Sequence, residues 1–345
     1  MPDLDLRQVT GFLIDPELNT RRLLRSILSR IGLNTVQEFT STFDAIGALA
    51  VSAPDFILVD ADFGEGEGLR FVHALRHNQF SSNPFVGVVA MTWQPTPSLL
   101  VRFTGSGADD LLVKPFSTKK VHDRMYGLVE ARKPFVVTSD YIGPDRRRTP
   151  RPDGAQVPLF TVPNTMRLKA LGCHDRAGVA DEVAACLLAV NAQKVVRQAF
   201  QIAFLVEFAI PGVTVNPPAR LAAEHLLRVP VIMEDLLRRV PLGSDGRQTI
   251  VGHARSIQRV LNAFVADPAR PLGDSVTGLR RSAMALAADA GGRTDIGAVE
   301  QDVAAAVAVY RSRLDAMAQA KAAAAPPPIV QIDAEEPPCG AAAAS

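Results

Sequence analysis

The chain has 345 residues, of which 47% are hydrophobic and 21% are charged, which is the balance of a globular protein with the length of two domains. Lys and Arg number 37 against 36 for Asp and Glu, and this near-neutral charge argues against proteins that bind nucleic acid or membrane surfaces through a whole-chain field. Three cysteines argue against a secreted disulfide scaffold or a zinc-binding protein, and the acidic first segment argues against a secretory signal. No apolar run approaches the roughly 20 residues of a membrane span. We therefore expect a cytoplasmic protein.

Residues 9 to about 132 alternate short β-branched or aromatic runs with helical patterns. The runs predict strands at Val9–Ile14, Thr35–Phe39, Asp55–Asp60, Phe85–Met91 and Asp110–Val113. The helical patterns lie at Glu17–Ile31, Thr42–Val51, Gly68–Asn78, Ser98–Ser106 and Thr118–Ala131. Five consecutive strand–helix units indicate a parallel sheet with helices on both faces, and the largely apolar strands fit that burial.

The composition changes at Pro134. Six prolines between residues 134 and 164 are typical of a linker. Residues 165–322 are rich in Ala, Leu and Arg and predict a mainly α-helical output or dimerisation domain, with helices at Ala180–Phe208, Pro218–Val240, Gln248–Ala266, Ser275–Ala290 and Ile296–Ala322. The Ala/Pro-rich residues 323–345 predict a disordered tail.

Polar side chains stand at the ends of four predicted strands. Asp15 follows the first strand, Asp60 ends the third, Thr92 follows the fourth and Lys114 follows the fifth. Ligands of doubly wound sheets bind outside the carboxyl ends of the strands, so we expect these four side chains in one crevice. A carboxylate there can attack a phosphoryl group, carboxylate oxygens can hold Mg²⁺, and a lysine and a hydroxyl can contact phosphate oxygens. The set therefore predicts phosphoryl chemistry.

Four segments carry these residues in order: FLIDPELNTRRLLRSIL, PDFILVDADFGEGEGLRFVHALR, VVAMTW and GADDLLVKPFS. On these segments, residues 9–132 resemble the receiver domain of bacterial two-component response regulators. The resemblance implies a flavodoxin-like five-stranded parallel sheet in the order 2-1-3-4-5, within a domain at residues 1–133. The C-terminal half resembles no family that the sequence identifies.

Site residues follow from the resemblance position by position. It implies that Asp60 is the phosphoacceptor, that Thr92 is the switch hydroxyl and that Lys114 contacts the phosphate. It also implies an Mg²⁺ site formed by Asp15, Asp60 and the main-chain carbonyl of Asp62.

Two further positions match the family, and two depart from it. Gly68 matches the glycine that opens the third helix, and Pro115 matches a proline that usually follows a cis peptide bond. Pro16 stands where the family usually has a second acidic residue, so one Mg²⁺ ligand is missing unless Glu17 supplies it. Leu111 stands at the usual switch aromatic. We therefore expect weak Mg²⁺ binding and a phosphorylation that is slower, restricted to fewer donors or absent.

Structural interpretations compete with functional ones at single residues. Asp15 before Pro16 could simply cap the first helix. Arg147 and Arg151 have an R-x-x-x-R spacing similar to the arginine element of cyclic-di-GMP-binding PilZ domains and are candidate anion ligands, but a solvated linker is the favoured interpretation. His253 is a candidate phosphotransfer histidine, and a helix-surface histidine is again favoured.

Three functions remain open from the sequence. The first is a response regulator that accepts a phosphoryl group on Asp60 from a sensor histidine kinase or a phosphotransfer protein. Such a protein is a phosphoacceptor rather than an enzyme acting on another substrate, and we expect a homodimer through the helical half. The second is a pseudo-receiver scaffold that works without phosphorylation. The third is a nucleic-acid-binding regulator, which the near-neutral helical half argues against.

Overall fold

The computed structural model describes residues 4–64, 66–147, 157–173, 175–243 and 246–323. Its first part is a parallel sheet with the strand order β2-β1-β3-β4-β5. Strands β1 to β5 are Thr10–Ile14, Thr35–Phe39, Phe56–Asp60, Gly87–Thr92 and Asp110–Val113. The predicted flavodoxin-like sheet is confirmed, and each predicted strand end agrees with the structure to within two residues.

Helices cover both faces of this sheet. Helices α1 to α5 are Leu18–Arg30, Thr42–Leu49, Glu67–Arg76, Pro97–Ser106 and Thr118–Glu130. Alternate residues of a strand point to opposite faces, so Leu13 packs in the core beneath α1 and α5, whereas Phe12 and Ile14 pack beneath α2, α3 and α4. Each fully buried side chain of this kind contributes about 1.5–3 kcal/mol. The apolar strands of the sequence thus account for two cores on one sheet.

The proline-rich segment is more ordered than the linker predicted for residues 134–164. Its described residues form an antiparallel sheet of three short strands, β6 Phe135–Val137, β7 Ile142–Pro144 and β8 Leu159–Phe160. Phe135 is fully buried, and the guanidinium groups of Arg76 and Arg132 lie 5.1 and 5.2 Å from its ring centroid. This burial fixes the segment on the sheet domain, so its described residues are folded against that domain, whereas the prolines predicted a linker.

The C-terminal half is helical, as predicted. Helices α6 to α12 are Thr165–Ala170, Arg176–Val213, Arg220–Leu226, Val229–Arg239, Arg247–Ala266, Ser275–Ala290 and Ile296–Ala323. The 38-residue helix α7 contacts α8, α9, α11 and α12 and is the centre of the bundle. Of residues 323–345, predicted as a disordered tail, the structure describes only Ala323, the last residue of α12.

Two helices of this half differ from the prediction. The pattern Pro218–Val240 predicted one helix, but the structure has α8 and α9 with a break at Leu227 and Arg228. Pro230 explains the break, because proline lacks the N–H of a helix interior and is tolerated in the first turn of α9. Helix α6, which the prediction missed, packs Met166 and Ala170 into the core beneath α1 and α5.

The helical half contacts the sheet domain at the C-terminal end of α3. Nη2 of Arg238 and Nη2 of Arg239 in α9 donate to the main-chain oxygen of His77, at 3.1 and 3.3 Å. Because α3 runs back from the end of β3, this contact lies at the edge opposite the carboxyl ends of the strands. Across the described ranges, no helix is long and apolar enough to cross a membrane.

Candidate functional site

The carboxyl ends of four strands bring the predicted polar residues together. Asp15 follows β1, Asp60 ends β3, Thr92 ends β4 and Lys114 follows β5. All four are buried, with exposed fractions between 0% and 5%. Parallel strands in the order β1-β3-β4-β5 place these ends side by side, so the strand-end rule places the four residues at one edge of the sheet.

Lys114 joins the two carboxylates of this site. Its Nζ lies 2.7 Å from Oδ2 of Asp15 and 3.2 Å from Oδ2 of Asp60. Burial is the largest influence on Asp60 and raises the pKa of its carboxyl, while the main-chain N–H of Asp62 and the Lys114 charge act in the opposite direction. The ammonium therefore stands beside both the proposed nucleophile and its acidic neighbour.

Thr92 has a partner that the sequence did not predict. Its hydroxyl donates to the Asp62 carboxylate, whose two oxygens lie at 2.9 and 3.0 Å. The main-chain N–H of Trp93 donates to the same carboxylate at 2.7 Å. The prediction assigned Asp62 only a main-chain carbonyl, so its side-chain function was missed. The signal was available in the sequence, because a second aspartate stands two residues after Asp60.

The segment after Asp15 offers few ligands for a metal. Oδ1 of Asp15 accepts the main-chain N–H of Glu17 at 2.8 Å, and Oε2 of Glu17 accepts the hydroxyl of Thr20 at 2.6 Å. Glu17 is thus engaged with its own helix, and no described contact joins it to Asp60. In the part of the chain that the structure describes, no three acidic, His or Cys side chains cluster as a metal site.

Backbone features around the site agree with the resemblance. A Cβ on Gly68 would lie 1.9 Å from the main-chain oxygen of Asp60, so only glycine fits this close approach of α3 to the end of β3. The peptide bond between Lys114 and Pro115 is cis. Leu111, at the position of the usual switch aromatic, is partly buried against the core beneath α2, α3 and α4.

The structure shows the contacts of two arginines in the predicted linker. Arg147 is exposed and forms a two-pronged ion pair with Asp145, with Nε–Oδ1 and Nη2–Oδ2 distances of 2.8 and 2.9 Å. Arg151 lies outside the described residues. It is Arg146 that contacts the sheet domain: its guanidinium stacks over the Phe103 ring at 4.3 Å and donates to the main-chain oxygen of Ala108.

His253, the candidate phosphotransfer histidine, pairs with an acidic residue of the next helix. Its Nε2 lies 2.8 Å from Oδ2 of Asp289, and both side chains are partly exposed. This pairing fits the favoured interpretation of a helix-surface histidine.

Comparisons with known proteins agree with this geometry. The response regulator receiver domain family matches residues 12–126. The chain is 28% identical over 134 residues to the KDP operon transcriptional regulatory protein KdpE of Escherichia coli K12, covering 37% of this chain and 57% of KdpE. It is 28% identical over 125 residues to the phosphate regulon transcriptional regulatory protein PhoB of Klebsiella pneumoniae, covering 36% and 53%. The chain thus spans little more than half the length of these curated relatives.

Solved structures show similarity over the same part of the chain. A signal receiver domain from Clostridium thermocellum is 22% identical, with a TM-score of 0.33, and the match covers 36% of this chain and 98% of that one. The response regulator DrrB of Thermotoga maritima, described as an OmpR/PhoB homologue, is 17% identical with a TM-score of 0.32, covering 36% and 55%. The family match, the strand order and the strand-end residues agree, and residues 12–126 are a response regulator receiver domain.

Proposed function

We propose that the chain is a response regulator of a two-component phosphorelay and that Asp60 is its phosphoacceptor. The observation that carries the proposal is the position of the Asp60 carboxylate, which ends β3 and lies 3.2 Å from Nζ of Lys114. A nucleophile needs such a cation beside it, because the incoming phosphoryl group is itself negatively charged. The proposed donor is the phosphohistidine of a sensor kinase or of a phosphotransfer protein.

The proposed reaction uses three side chains of this site. A carboxylate oxygen of Asp60 attacks phosphorus, the P–N bond of the donor breaks as the P–O bond forms, and the imidazole leaves and takes a proton from solvent. The Lys114 ammonium offsets charge on the phosphoryl oxygens. The Thr92 hydroxyl leaves Asp62 and donates to a phosphoryl oxygen, which alters the connection between β4 and α4.

Mg²⁺ is the proposed cofactor of this reaction. Asp15 and Asp60 provide the carboxylate oxygens that Mg²⁺ prefers, and the main-chain carbonyl of Asp62 is the proposed third ligand, with water at the other positions. Bound there, Mg²⁺ supplies positive charge that offsets the charge of the phosphoryl group. Pro16 supplies no ligand and Glu17 is engaged elsewhere, so we propose that binding is weak.

The helical half is the proposed output or dimerisation domain, and the cytoplasm is the proposed location. Arg146 supports a route between the two halves, because it contacts Phe103 in α4 and Ala108 just before β5. In the proposed switch, a movement of α4 reaches the strands β6 and β7 through this arginine. Homodimerisation through the helical half belongs to the same proposal.

A second candidate is the pseudo-receiver scaffold, which Pro16 and the Thr92–Asp62 bonds favour because both oppose the ordinary reaction. The third candidate, a nucleic-acid-binding regulator, has its support in the names of KdpE and PhoB, both of which are called transcriptional regulatory proteins. The regions aligned with this chain cover only 57% and 53% of those relatives, so we do not propose nucleic acid as a partner.

Phosphorylation by a small donor tests the first candidate against the second. Purified protein is incubated with phosphoramidate and Mg²⁺ and then measured by intact-mass spectrometry. The wild-type chain is expected to gain the mass of one phosphoryl group, and Asp60→Asn is expected to gain none. Asp123→Asn, in an exposed carboxylate of α5, is the matched control and should label like the wild type. A wild-type chain that gains no mass would favour the scaffold.

A further inference from the structure

A cleft of about 440 Å³ lies in the helical half and has no part in the proposed phosphoryl transfer. Helix α7, the segment from α8 to the start of α9, and α12 line it on one side, and the turn between β6 and β7 lines it on the other. Its volume falls in the range of cavities that bury most of the surface of a small molecule. The cleft is therefore large enough for a ligand of one or two fused rings with a substituent.

Aromatic side chains form the apolar part of this cleft. Phe200 and Phe204 of α7 and Tyr310 of α12 line it, and the rings of Phe204 and Tyr310 meet edge to face with centroids 5.5 Å apart. Aromatic rings in such walls favour a planar ligand, because offset stacking and edge-to-face contacts both require a second ring.

Two arginines give the cleft a positive charge. Arg197 of α7 is half-buried and Arg228 is exposed, and neither guanidinium group forms an ion pair or hydrogen bond with the described residues. Among the described residues that line the cleft, only Asp140 is acidic, and its carboxylate already accepts from the Ser139 hydroxyl at 3.0 Å and from the Gln201 amide at 3.4 Å. Two unpaired guanidinium groups beside an apolar wall match a carboxylate, phosphate or sulfonate group on the ligand.

The wall opposite the helices is rigidly held. Nζ of Lys194, which is 1% exposed, donates to the main-chain oxygens of Thr138 and Ser139 at 3.2 and 2.6 Å. On the helical side, Nε2 of His225 lies 3.1 Å from the hydroxyl of Tyr310, while Nδ1 of His225 lies 2.8 Å from the Leu221 oxygen. These contacts fix the lining groups in place before any ligand arrives, which lowers the entropic cost of binding.

We propose that this cleft binds a small aromatic anion. The rings of Phe200 and Phe204 contact the ligand ring, and Arg197 and Arg228 bind its anionic group. The inference does not depend on phosphorylation of Asp60.

A pair of fluorescent probes tests this inference. The dye 8-anilinonaphthalene-1-sulfonate has fused rings, an amine N–H and a sulfonate, and N-phenyl-1-naphthylamine has the same skeleton without the sulfonate. Titration of the full chain is expected to show one saturable site for the sulfonate dye, with at least tenfold weaker binding of the neutral dye. Arg228→Met and Arg197→Met should each weaken binding of the sulfonate dye severalfold.

Controls separate the cleft from general surface binding. Arg255→Met, at an exposed arginine of α10, should leave both affinities unchanged. Thermal unfolding of each variant shows whether it is folded, and Arg228→Met keeps the test valid if Arg197→Met does not fold, because Arg228 is exposed. Lack of a saturable site, equal affinity for both dyes, or wild-type affinity in the folded arginine variants would overturn the proposal.

Discussion

The hydrogen bond between Thr92 and Asp62 predicts that Asp62 slows phosphorylation. Thr92 must release the Asp62 carboxylate before its hydroxyl can donate to a phosphoryl oxygen on Asp60. Substituting Asp62 by alanine removes this competing acceptor and also removes a negative charge beside the site. We therefore expect Asp62→Ala to be phosphorylated faster than the wild type.

The size of this effect follows from the kind of bond that is lost. A hydrogen bond to a charged group contributes about 1.5–3 kcal/mol, and the exposed position of Asp62 places this bond at about 1.5 kcal/mol because water competes for the carboxylate. Since about 1.4 kcal/mol is a factor of ten, Asp62→Ala should raise the rate roughly tenfold. Asp62→Asn retains a neutral acceptor worth about 1 kcal/mol, so its gain should be about two- to threefold.

Rates of labelling by phosphoramidate, followed by intact mass, measure this effect. Asp123→Ala removes an exposed carboxylate from α5 and should leave the rate unchanged. Asp62→Ala should accelerate labelling less in a Thr92→Ala background than in the wild type, because part of the gain depends on the released hydroxyl. A rate in Asp62→Ala at or below that of the wild type would refute the reasoning and would indicate that Asp62 assists the reaction.

Three further predictions concern the metal site, the response to acid and the buried arginine of α3. Pro16→Asp should tighten Mg²⁺ binding in a titration of Trp93 fluorescence; an unchanged affinity would mean that another group already completes the site. Burial and nearby positive charges lower the pKa of His77 from 6.5 to about 2, so the folded state excludes a proton that the unfolded chain binds below pH 6.5. Stability is then lost as the pH falls: urea unfolding should lose about 2 kcal/mol more between pH 6.5 and 5 in the wild type than in His77→Gln, and equal losses would contradict this. Arg76→Met should destabilise the fold by about 3–5 kcal/mol, because it leaves buried acceptors without their donor, whereas Arg124→Met at an exposed pair should cost less than 1 kcal/mol; equal effects would show that Arg76 is not structural.

The sheet and the position of the site could be predicted from the sequence because both depend on local patterns. Apolar runs such as Phe56–Asp60 are buried on both faces, and a polar residue that ends such a run has to lie at the edge of the sheet. The order β2-β1-β3-β4-β5 came from the resemblance, since strand order depends on contacts between residues far apart in the chain.

Other features depend on tertiary contacts that no local pattern carries. Phe135 in β6 contacts Arg76 and Arg132, which lie 59 and 3 residues before it in the chain. Because its burial depends on these tertiary contacts, the prolines of the segment predicted only a linker. The Thr92–Asp62 bond likewise joins side chains 30 residues apart. Within the site, Asp15, Asp60 and Lys114 were expected to lie together. That the Lys114 ammonium contacts both carboxylates follows only from the distances in the folded protein.

The attachment site of the phosphoryl group tests the central proposal most directly. After treatment with phosphoramidate and Mg²⁺, sodium borohydride reduces an aspartyl phosphate to homoserine, and peptide mass spectrometry then locates the change. The account predicts homoserine in place of Asp60, within the peptide that carries FILVD, and no such change in Asp15 or Asp62. Homoserine at another aspartate, or an unchanged Asp60 in protein that has gained the phosphoryl mass, would contradict it.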